Sequence, residues 1–421
     1  MIMLIFYRLL INLVYLLSPV IILFRLLKKK EDLKRFKEKF CFFSKKKRNG
    51  KLIWFHGASV GELQSIIPLL EKLDKNQKIK QILITSNTLS SSKILDRYNF
   101  KKVIHQFFPI DTNHLSQKFL NYWKPSAAFF IDSELWPNMI SNLNKKKIPL
   151  VLLNARITKK TFRKWKIVNS FAKELFKKID FCFPANKETT IYLRKLGAKK
   201  IKFIGNLKYS QSENEKLLMD KKVKKFITSK KSWCASSTHY PEEKFCGIVH
   251  AELKKKYKDL LTIIIPRHIN RANEIQAELE QLNLKVHLHE PITKINKNID
   301  VYLVNTYGQT KSFFNECKNI FLGGSLIEHG GQNPLEAARY GCNIMHGPNT
   351  SNFKEIYEYL NKIKMSTKIY DKKMMLQNLN KIFVTNKRSK KIQTKLKVIG
   401  KKVLDTTYKE INLIINNNEV K

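Results

Sequence analysis

Short apolar runs separated by helical repeats set the pattern of this chain from Lys51 onward. Lys51-Leu-Ile-Trp-Phe55, Ile82-Leu-Ile-Thr85, Ala127-Ala-Phe-Phe-Ile131, Pro149-Leu-Val-Leu-Leu153 and Phe181-Cys-Phe183 are apolar without alternation, which predicts strands buried on both faces of a parallel sheet. Leu63, Ile66, Ile67 and Leu70 recur at helical spacing between the first two. After a polar stretch the alternation restarts at Trp233-Cys-Ala235, Leu261-Thr-Ile-Ile-Ile265, Val301-Tyr-Leu-Val304, Ile320-Phe-Leu322 and Asn343-Ile-Met345. Two α/β units of Rossmann-like type, facing a cleft, are therefore expected. Polar clusters follow many of the strands: Asp132-Ser-Glu134, Asn154-Ala-Arg156, Ser236-Ser-Thr-His239, Pro266-Arg-His268, Asn305-Thr-Tyr-Gly308 and Gly323-Gly-Ser325. The carboxyl ends of parallel strands share one edge, where ligands bind.

The amino terminus breaks this pattern. Met1 to Leu27 is almost wholly apolar, interrupted by Arg8, Asn12 and Arg25. It is long enough to span a bilayer, while its polar interruptions also suit a helix lying in the interface. Lys28-Lys-Lys30 and Lys45-Lys-Lys-Arg48 add a basic flank, which puts the body of the protein on the cytoplasmic side. Anionic headgroups hold such a flank at roughly 1 kcal/mol per basic residue. The expected order is an anchor at 1–27, a basic juxtamembrane segment at 28–50 and a first domain at 51–210. A linker at 211–231, a second domain at 232–400 and a carboxyl-terminal helix or tail at 401–421 complete it.

The formal net charge is +46. Lysines are dispersed rather than striped and no nucleic-acid motif is present, so most of this charge reads as compositional bias and no nucleic-acid partner is expected. Arg156, Arg267, Arg271 and Arg339 stand in or beside motif-like stretches, where a planar fork serves better than a bare charge. Six scattered cysteines, without a C-x-x-C pair, suit the core of a protein in a reducing compartment, and no metal-ligand spacing occurs.

Two motifs carry chemistry. Trp54-Phe-His-Gly-Ala-Ser-Val-Gly-Glu62 is a strand–loop–helix unit that sets Glu62 in the first helical turn. Ser59-Val-Gly-Glu62 fits a capping box, and a carboxylate at the mouth of an α/β unit also fits a general base. Both readings stand at this level. Gly323-Gly-Ser-Leu-Ile-Glu-His-Gly-Gly-Gln-Asn-Pro-Leu-Glu-Ala337 offers open backbone for a phosphate and a helix start near Asn333, with Glu336 placed to accept from ribose hydroxyls.

With these motifs, the chain resembles the 3-deoxy-D-manno-octulosonic acid (Kdo) transferases of Gram-negative lipopolysaccharide synthesis. The matching stretches are His56-Gly-Ala-Ser-Val-Gly-Glu62, Asp132-Ser-Glu-Leu-Trp-Pro-Asn138, Asn154-Ala-Arg156, Gly205-Asn-Leu-Lys208, Ser237-Thr-His239, Pro266-Arg-His268, Gly323 to Glu336, and Gly347-Pro-Asn-Thr-Ser-Asn-Phe353. They run in family order over nearly the whole chain. The resemblance implies a GT-B glycosyltransferase that transfers Kdo from CMP-Kdo to lipid IVA, with inversion, no cofactor and no divalent metal. It implies Glu62 as general base, and Glu134 with Lys208 as a polar pair steadying the transition state. Donor contacts are implied for Arg267, His268, Tyr307, Gly308, Gln309, Asn333, Pro334, Leu335 and Glu336. Where the family has Asp-Thr-x-Gly-Glu-Leu, this chain has Asn305-Thr-Tyr-Gly-Gln-Thr310, both acids having become amides. Residence at the cytoplasmic face of the inner membrane, among anionic lipids, is expected.

A sugar already activated on a phosphate leaves well, so such an enzyme mainly has to deprotonate an acceptor hydroxyl and steady charge. Arg267 and the Gly323-Gly324 amides are expected at the CMP phosphate, with Lys208 and Arg156 facing the carboxylate of Kdo or the acceptor phosphates. The competing readings are a membrane-associated GT-B enzyme using another nucleotide sugar, and a basic lipid- or nucleic-acid-binding protein without chemistry.

Overall fold

The computed structural model describes residues 2–210, 219–291, 293–385 and 390–417. The chain divides into two compact units, Met1–Asn214 with Ile399–Lys421, and Glu215–Val398. Of the expected linker, 211–218 lies outside the described residues. The rest forms a helix, Lys221–Thr228, capped by Asp220, whose Val223 and Ile227 are buried.

The first unit is built on six parallel strands: β1 (Leu52–His56), β2 (Gln81–Ser86), β3 (Val103–Phe107), β4 (Ala127–Ile131), β5 (Leu150–Ala155) and β6 (Phe181–Pro184). Their order is β3-β2-β1-β4-β5-β6. The apolar runs end up covered on both faces, as in β1 and β4, where every residue is buried. β3 escapes the apolar pattern because His105 and Gln106 interrupt it. Both are buried nevertheless, and His105 Nε2 meets Ser86 Oγ at 2.8 Å. The helix predicted from Leu63, Ile66, Ile67 and Leu70 is α2 (Val60–Asp74), with all four in the core.

The second unit has seven parallel strands: β7 (Lys231–Thr238), β8 (Leu260–Pro266), β9 (Val286–Leu288), β10 (Val301–Leu303), β11 (Asn319–Leu322), β12 (Asn343–His346) and β13 (Ser366–Lys368). Their order is β13-β12-β11-β7-β8-β10-β9. The two strands absent from the sequence pattern, β9 and β13, are three-residue edge strands without a fully buried run. In each sheet the chain runs outward one way and then returns to the other side of its first strand. That reversal makes a switch point between β1 and β4, and another between β7 and β11. Ligands of doubly wound sheets bind at such points.

Helix α1 (Ile2–Leu27) is the expected apolar helix, with mean hydropathy 2.2 in its most apolar stretch. Residues 28–50 are not a loose basic flank but part of the first unit. Glu38 is buried and accepts from the Phe107 amide at 2.8 Å and from Arg35 Nε at 2.9 Å. Cys41 joins the core and Phe43 stacks on Tyr122 at 3.8 Å between ring centres. The carboxyl-terminal residues also return to this unit, within one helix from Lys390 to Asn417. Its Val403, Ile411 and Ile415 are buried in the same cluster as Ile66 and Leu70, and Lys72 pairs with Asp405. All six cysteines are buried and unpaired.

This packing makes a prediction about truncation. A chain beginning at Lys28 loses what α1 contributes, chiefly the bonds of Tyr7 to Asp111 and Arg8 to Asn138, and its melting point in detergent is the reference. One beginning at Lys51 loses the Glu38 hydrogen bonds and the Cys41 and Phe43 packing. Its melting point should fall well below, by about 2–4 °C for each kcal/mol lost. Equal melting of the two by calorimetry would return 28–50 to the status of a flank.

Candidate active site

At the β1–β4 switch point, three carboxylates come from two adjacent loops. Glu62 opens α2 and makes the cap expected of it: Ser59 Oγ accepts from the Glu62 amide at 3.3 Å. The Glu62 carboxylate turns back to accept from Ser59 Oγ at 2.8 Å and from the Ala58 amide at 2.7 Å. The same group is chemically perturbed. Burial, with negative charge from Asp132 and Glu134, pushes the Glu62 carboxyl up to about 7, against the lowering pull of the bonds from Ser59 and Ala58. The capping geometry and the proton affinity of a base therefore coexist in one side chain.

Glu134 and Lys208, expected as a pair, are each paired elsewhere. Glu134 Oε2 lies 3.2 Å from His56 Nε2 and 2.9 Å from Trp136 Nε1. Burial pushes its carboxyl upward, but the hydrogen bond and charge of His56, with the bond from Trp136, outweigh burial and hold it below the usual carboxylate range. Behind Glu134 runs a buried relay. Trp54 Nε1 can only donate, and does so to Thr85 Oγ1 at 2.9 Å, and Thr85 Oγ1 meets His56 Nδ1 at 2.9 Å. His56 Nδ1 also lies 3.2 Å from Thr85 O, and Nε2 lies 3.0 Å from Trp136 Nε1. Lys208 Nζ instead reaches Asp132 Oδ2 at 3.2 Å, while Asn154 Nδ2 donates to Asp132 Oδ1 at 2.7 Å. Asp132 and Asn154 both hold left-handed backbone, with φ of 57° and 54°, a strained state that clusters at functional sites. Asp132 and His56 are thus site residues that the motifs contained without revealing their task. Arg156 is half-buried beside them, its amide donating to Asp132 O at 3.1 Å.

In the second unit the residues expected to contact the donor, with His239, lie on loops that follow β7, β8, β10 and β11. Arg267 and His268 follow β8 and are exposed, and the His268 ring meets His239 edge-on at 5.5 Å. His239 also lies 4.2 Å from the ring of His329. Burial, then His329, His268, Arg267 and Arg271, push His239 down to about 4, so it is neutral near pH 7. Among the described residues no group of three His, Cys, Asp or Glu side chains is arranged to hold a metal ion. Tyr307 is 69% exposed, Gly308 takes a φ of 90°, and Gln309 precedes the helix Thr310–Glu316 without capping it. Asn305 explains one amide that replaces a family acid. Its Nδ2 donates to Glu290 O at 2.7 Å while its Oδ1 accepts from the Glu290 amide at 2.8 Å. An ionised carboxylate could not make the first of these bonds.

The glycine-rich loop differs from expectation. The Gly323 amide donates to Ser236 O at 2.8 Å and the Gly324 amide to Glu242 Oε2 at 2.6 Å. Glu242, fully buried, also accepts from the Ser325, Leu326 and His239 amides at 3.1, 3.0 and 3.0 Å. The two amides that the sequence reading assigned to a phosphate are therefore taken internally, Gly323's by a carbonyl and Gly324's by a carboxylate. Gly323 itself serves close packing, since a Cβ there would lie 2.5 Å from Thr238 Cα. The helix expected near Asn333 has only five residues, Leu335–Arg339, and a macrodipole this short is small. Asn333 Oδ1 takes the Leu335 amide at 3.1 Å, and Pro334 and Leu335 turn into the core. Glu336 stays half-exposed. Arg271 is paired with Glu243 and Glu274.

Two doubly wound parallel sheets in one chain are the architecture of GT-B glycosyltransferases. The solved UDP-GlcNAc 2-epimerase of Neisseria meningitidis shares it with a TM-score of 0.60 at 14% identity, over 87% of this chain and all of that one. A glycotransferase of kitacinnamycin gives 0.53 at 9% identity, over 87% of this chain and again all of that one. Sequence is more specific. The family model for 3-deoxy-D-manno-octulosonic-acid transferase matches residues 34–211. A 3-deoxy-D-manno-octulosonic acid transferase of Rickettsia bellii is 33% identical over 379 residues, 88% of this chain and 90% of the relative. A probable mitochondrial one from Arabidopsis thaliana is 32% identical over 365 residues, 83% and 81% of the two chains. The chain belongs to the 3-deoxy-D-manno-octulosonic acid transferase family, and so is a glycosyltransferase.

Glu242 can be tested as the staple of the glycine-rich loop. Glu242→Ala leaves buried amides of Gly324, Ser325 and Leu326 without acceptors and should cost about 3 kcal/mol or more. Denaturant unfolding with less than about 1 kcal/mol lost would show that the loop does not depend on it.

Proposed function

We propose that this chain transfers Kdo from CMP-Kdo to the lipid A precursor lipid IVA, with inversion and without a divalent metal, as a step of lipopolysaccharide synthesis. It would work at the cytoplasmic face of the inner membrane. Family membership supports the sugar. The observation that carries the mechanism is Glu62: a carboxyl raised to about 7, at the switch point of the first sheet, is matched to take a proton near neutral pH. In this reading Glu62 removes the proton of the acceptor hydroxyl as its oxygen attacks the anomeric carbon of Kdo. The bond to the CMP phosphate breaks and its electron pair leaves with the phosphate.

Glu134, held ionised by His56 and Trp136, keeps the proton affinity of Glu62 high and favours positive charge developing on the sugar. Lys208, anchored by Asp132, offers a cation to the carboxylate of Kdo or to a phosphate of the acceptor. Arg267 and His268, exposed beside the neutral His239, are the donors proposed for the CMP phosphate. They take over the task that the glycine amides, committed to Ser236 and Glu242, do not perform. Tyr307, Gly308, Gln309, Asn333 and Glu336 are proposed to complete the nucleoside contacts.

Glu62→Gln separates the two roles of this residue. The amide still accepts from Ala58 and so keeps the cap, but it cannot take a proton. Turnover of CMP-Kdo should fall by roughly 10²-fold or more with CMP affinity nearly unchanged. The folded-state pKa is raised, so Glu62 binds more protons folded than unfolded between about 4.5 and 7. Its stability contribution is present below that window and lost as pH rises through it. The melting temperature of Glu62→Gln relative to the parent should therefore improve from pH 5 to pH 8. A variant that melts early but turns over normally would leave Glu62 as a cap alone. ADP- or UDP-sugars should not replace CMP-Kdo in the same assay.

Arg267→Lys tests the nucleotide side, because it keeps the charge and loses the fork. CMP should bind more weakly by about 1–3 kcal/mol, the scale of a charge-assisted hydrogen bond. Calorimetry with unchanged affinity would take Arg267 out of the site.

A further inference from the structure

Helix α1 touches the first unit along its whole length. Leu4, Tyr7, Ile11, Ser18, Ile22 and Leu26 are buried or half-buried, at spacings of three, four and seven, on one face of the helix. At its amino end Tyr7 Oη donates to Asp111 Oδ2 at 2.8 Å and Arg8 Nε to Asn138 Oδ1 at 2.9 Å. Asp111 is fully buried and also accepts from the Asn138 and Met139 amides at 3.0 and 2.8 Å. Midway, the Tyr15 ring lies 6.0 Å from Phe40. At its carboxyl end Arg25 Nε donates to Glu31 Oε1 at 2.6 Å. There Arg25, Lys29, Lys30 and Lys93, with Thr88 and Ser90, line a groove of about 510 Å³.

The opposite face is bare and apolar. Leu9, Leu16 and Leu23, seven residues apart, are 64%, 74% and 59% exposed. A helix of 26 residues is about 39 Å long, enough to cross a bilayer. Crossing would carry one clamped end, and the folded unit attached to it, through the hydrocarbon. At the amino end that means buried Asp111 and the loop from Asp132 to Asn138, whose polar backbone lipid cannot satisfy. What fits both ends is a helix lying flat, with its apolar face down and its basic end among headgroups.

We infer that α1 does not span the membrane but lies in the plane of the interface, clamped along the first unit, with its outer apolar face sunk into an anionic bilayer. The apolar face running into a four-cation groove is what selects lipid as the occupant, over a second copy or a peptide. The clamp has a further consequence, because Arg8 holds Asn138, at the end of the loop that carries Glu134. Membrane seating and the acidic site are thus built on one loop.

The test needs no turnover, so it stands apart from the reading of Glu62. Single cysteines at Leu9, Leu16 and Leu23 in the full chain can carry nitroxide labels, since the six native cysteines are buried. In phosphatidylethanolamine–phosphatidylglycerol vesicles, power saturation with oxygen and a nickel chelate reads their depths. A flat helix gives three equal depths, roughly 5–10 Å below the headgroups. A spanning helix places Leu9 and Leu23 about 21 Å apart along its axis, with Leu16 deepest, and that result overturns the inference. Labels unaffected by lipid overturn it too, in favour of a protein partner. As a second measurement, Leu16→Asp should weaken vesicle binding at least tenfold without shifting the melting temperature in detergent. Unchanged vesicle binding would count against the flat seating.

Discussion

A carboxylate taken out of water is tolerated only where N–H groups or cations replace its hydration, and this chain is organised around that requirement. It has 34 acidic residues against 80 Lys and Arg, yet many of its structural joints are acids. Glu38 ties residues 28–50 to β3. Asp111 ties α1 to the helix Pro137–Lys145 through Tyr7 and the Asn138 and Met139 amides. Glu242 gathers the glycine-rich loop of the second unit through three of its amides. In each case a loop at a sheet edge is fixed by the hydrogen bonds of a buried carboxyl group rather than by apolar packing, which loops lack. The excess cationic charge stays on the surface, where water and salt screen it.

The acidic site follows the same rule with one deliberate shortfall. Asp132 has Lys208 and Asn154, and Glu134 has His56 and Trp136. Among the described residues, Glu62 accepts from neutral donors, Ser59 Oγ and the Ala58 amide, and makes no ion pair. With two anions near it and little water, its own ionisation becomes the costly one, and its proton affinity rises toward neutrality. The capping geometry does not compete with the proposed role of general base. It fixes the carboxylate in one rotamer, which is what a base needs if it is to meet a hydroxyl at hydrogen-bond distance.

The donor side illustrates how a glycine-rich sequence can be misread. Glycines suggest amides open to phosphate, but here Gly323 sits too close to Thr238 of β7 for a Cβ, its amide goes to Ser236 O, and Glu242 holds the amide of Gly324. Exposed groups nearby include Arg267 and His268, beside the neutral His239.

Much of the architecture was legible in the sequence, for identifiable reasons. Strands covered on both faces must be apolar throughout, so ten of them could be read directly as uninterrupted runs, and α2 as a helical repeat. The family, the apolar amino-terminal helix and the loops bearing Glu62, Glu134, Lys208 and Arg267 were equally visible, because glycines, acids and rare arginines stand out against lysine and isoleucine. What tertiary structure decided is partnership. β3 hides behind buried His105 and Gln106, and β9 and β13 are too short and too exposed to leave a pattern. Lys208 goes to Asp132 rather than Glu134, and Ser236 O and Glu242 take the Gly323 and Gly324 amides expected at a ligand. Residues 28–50 and the last helix fold back onto the first unit. Each of these joins residues far apart in the chain, where periodicity and local spacing carry no information. Which donor meets which acceptor is settled only when each sheet brings its own loops to one edge.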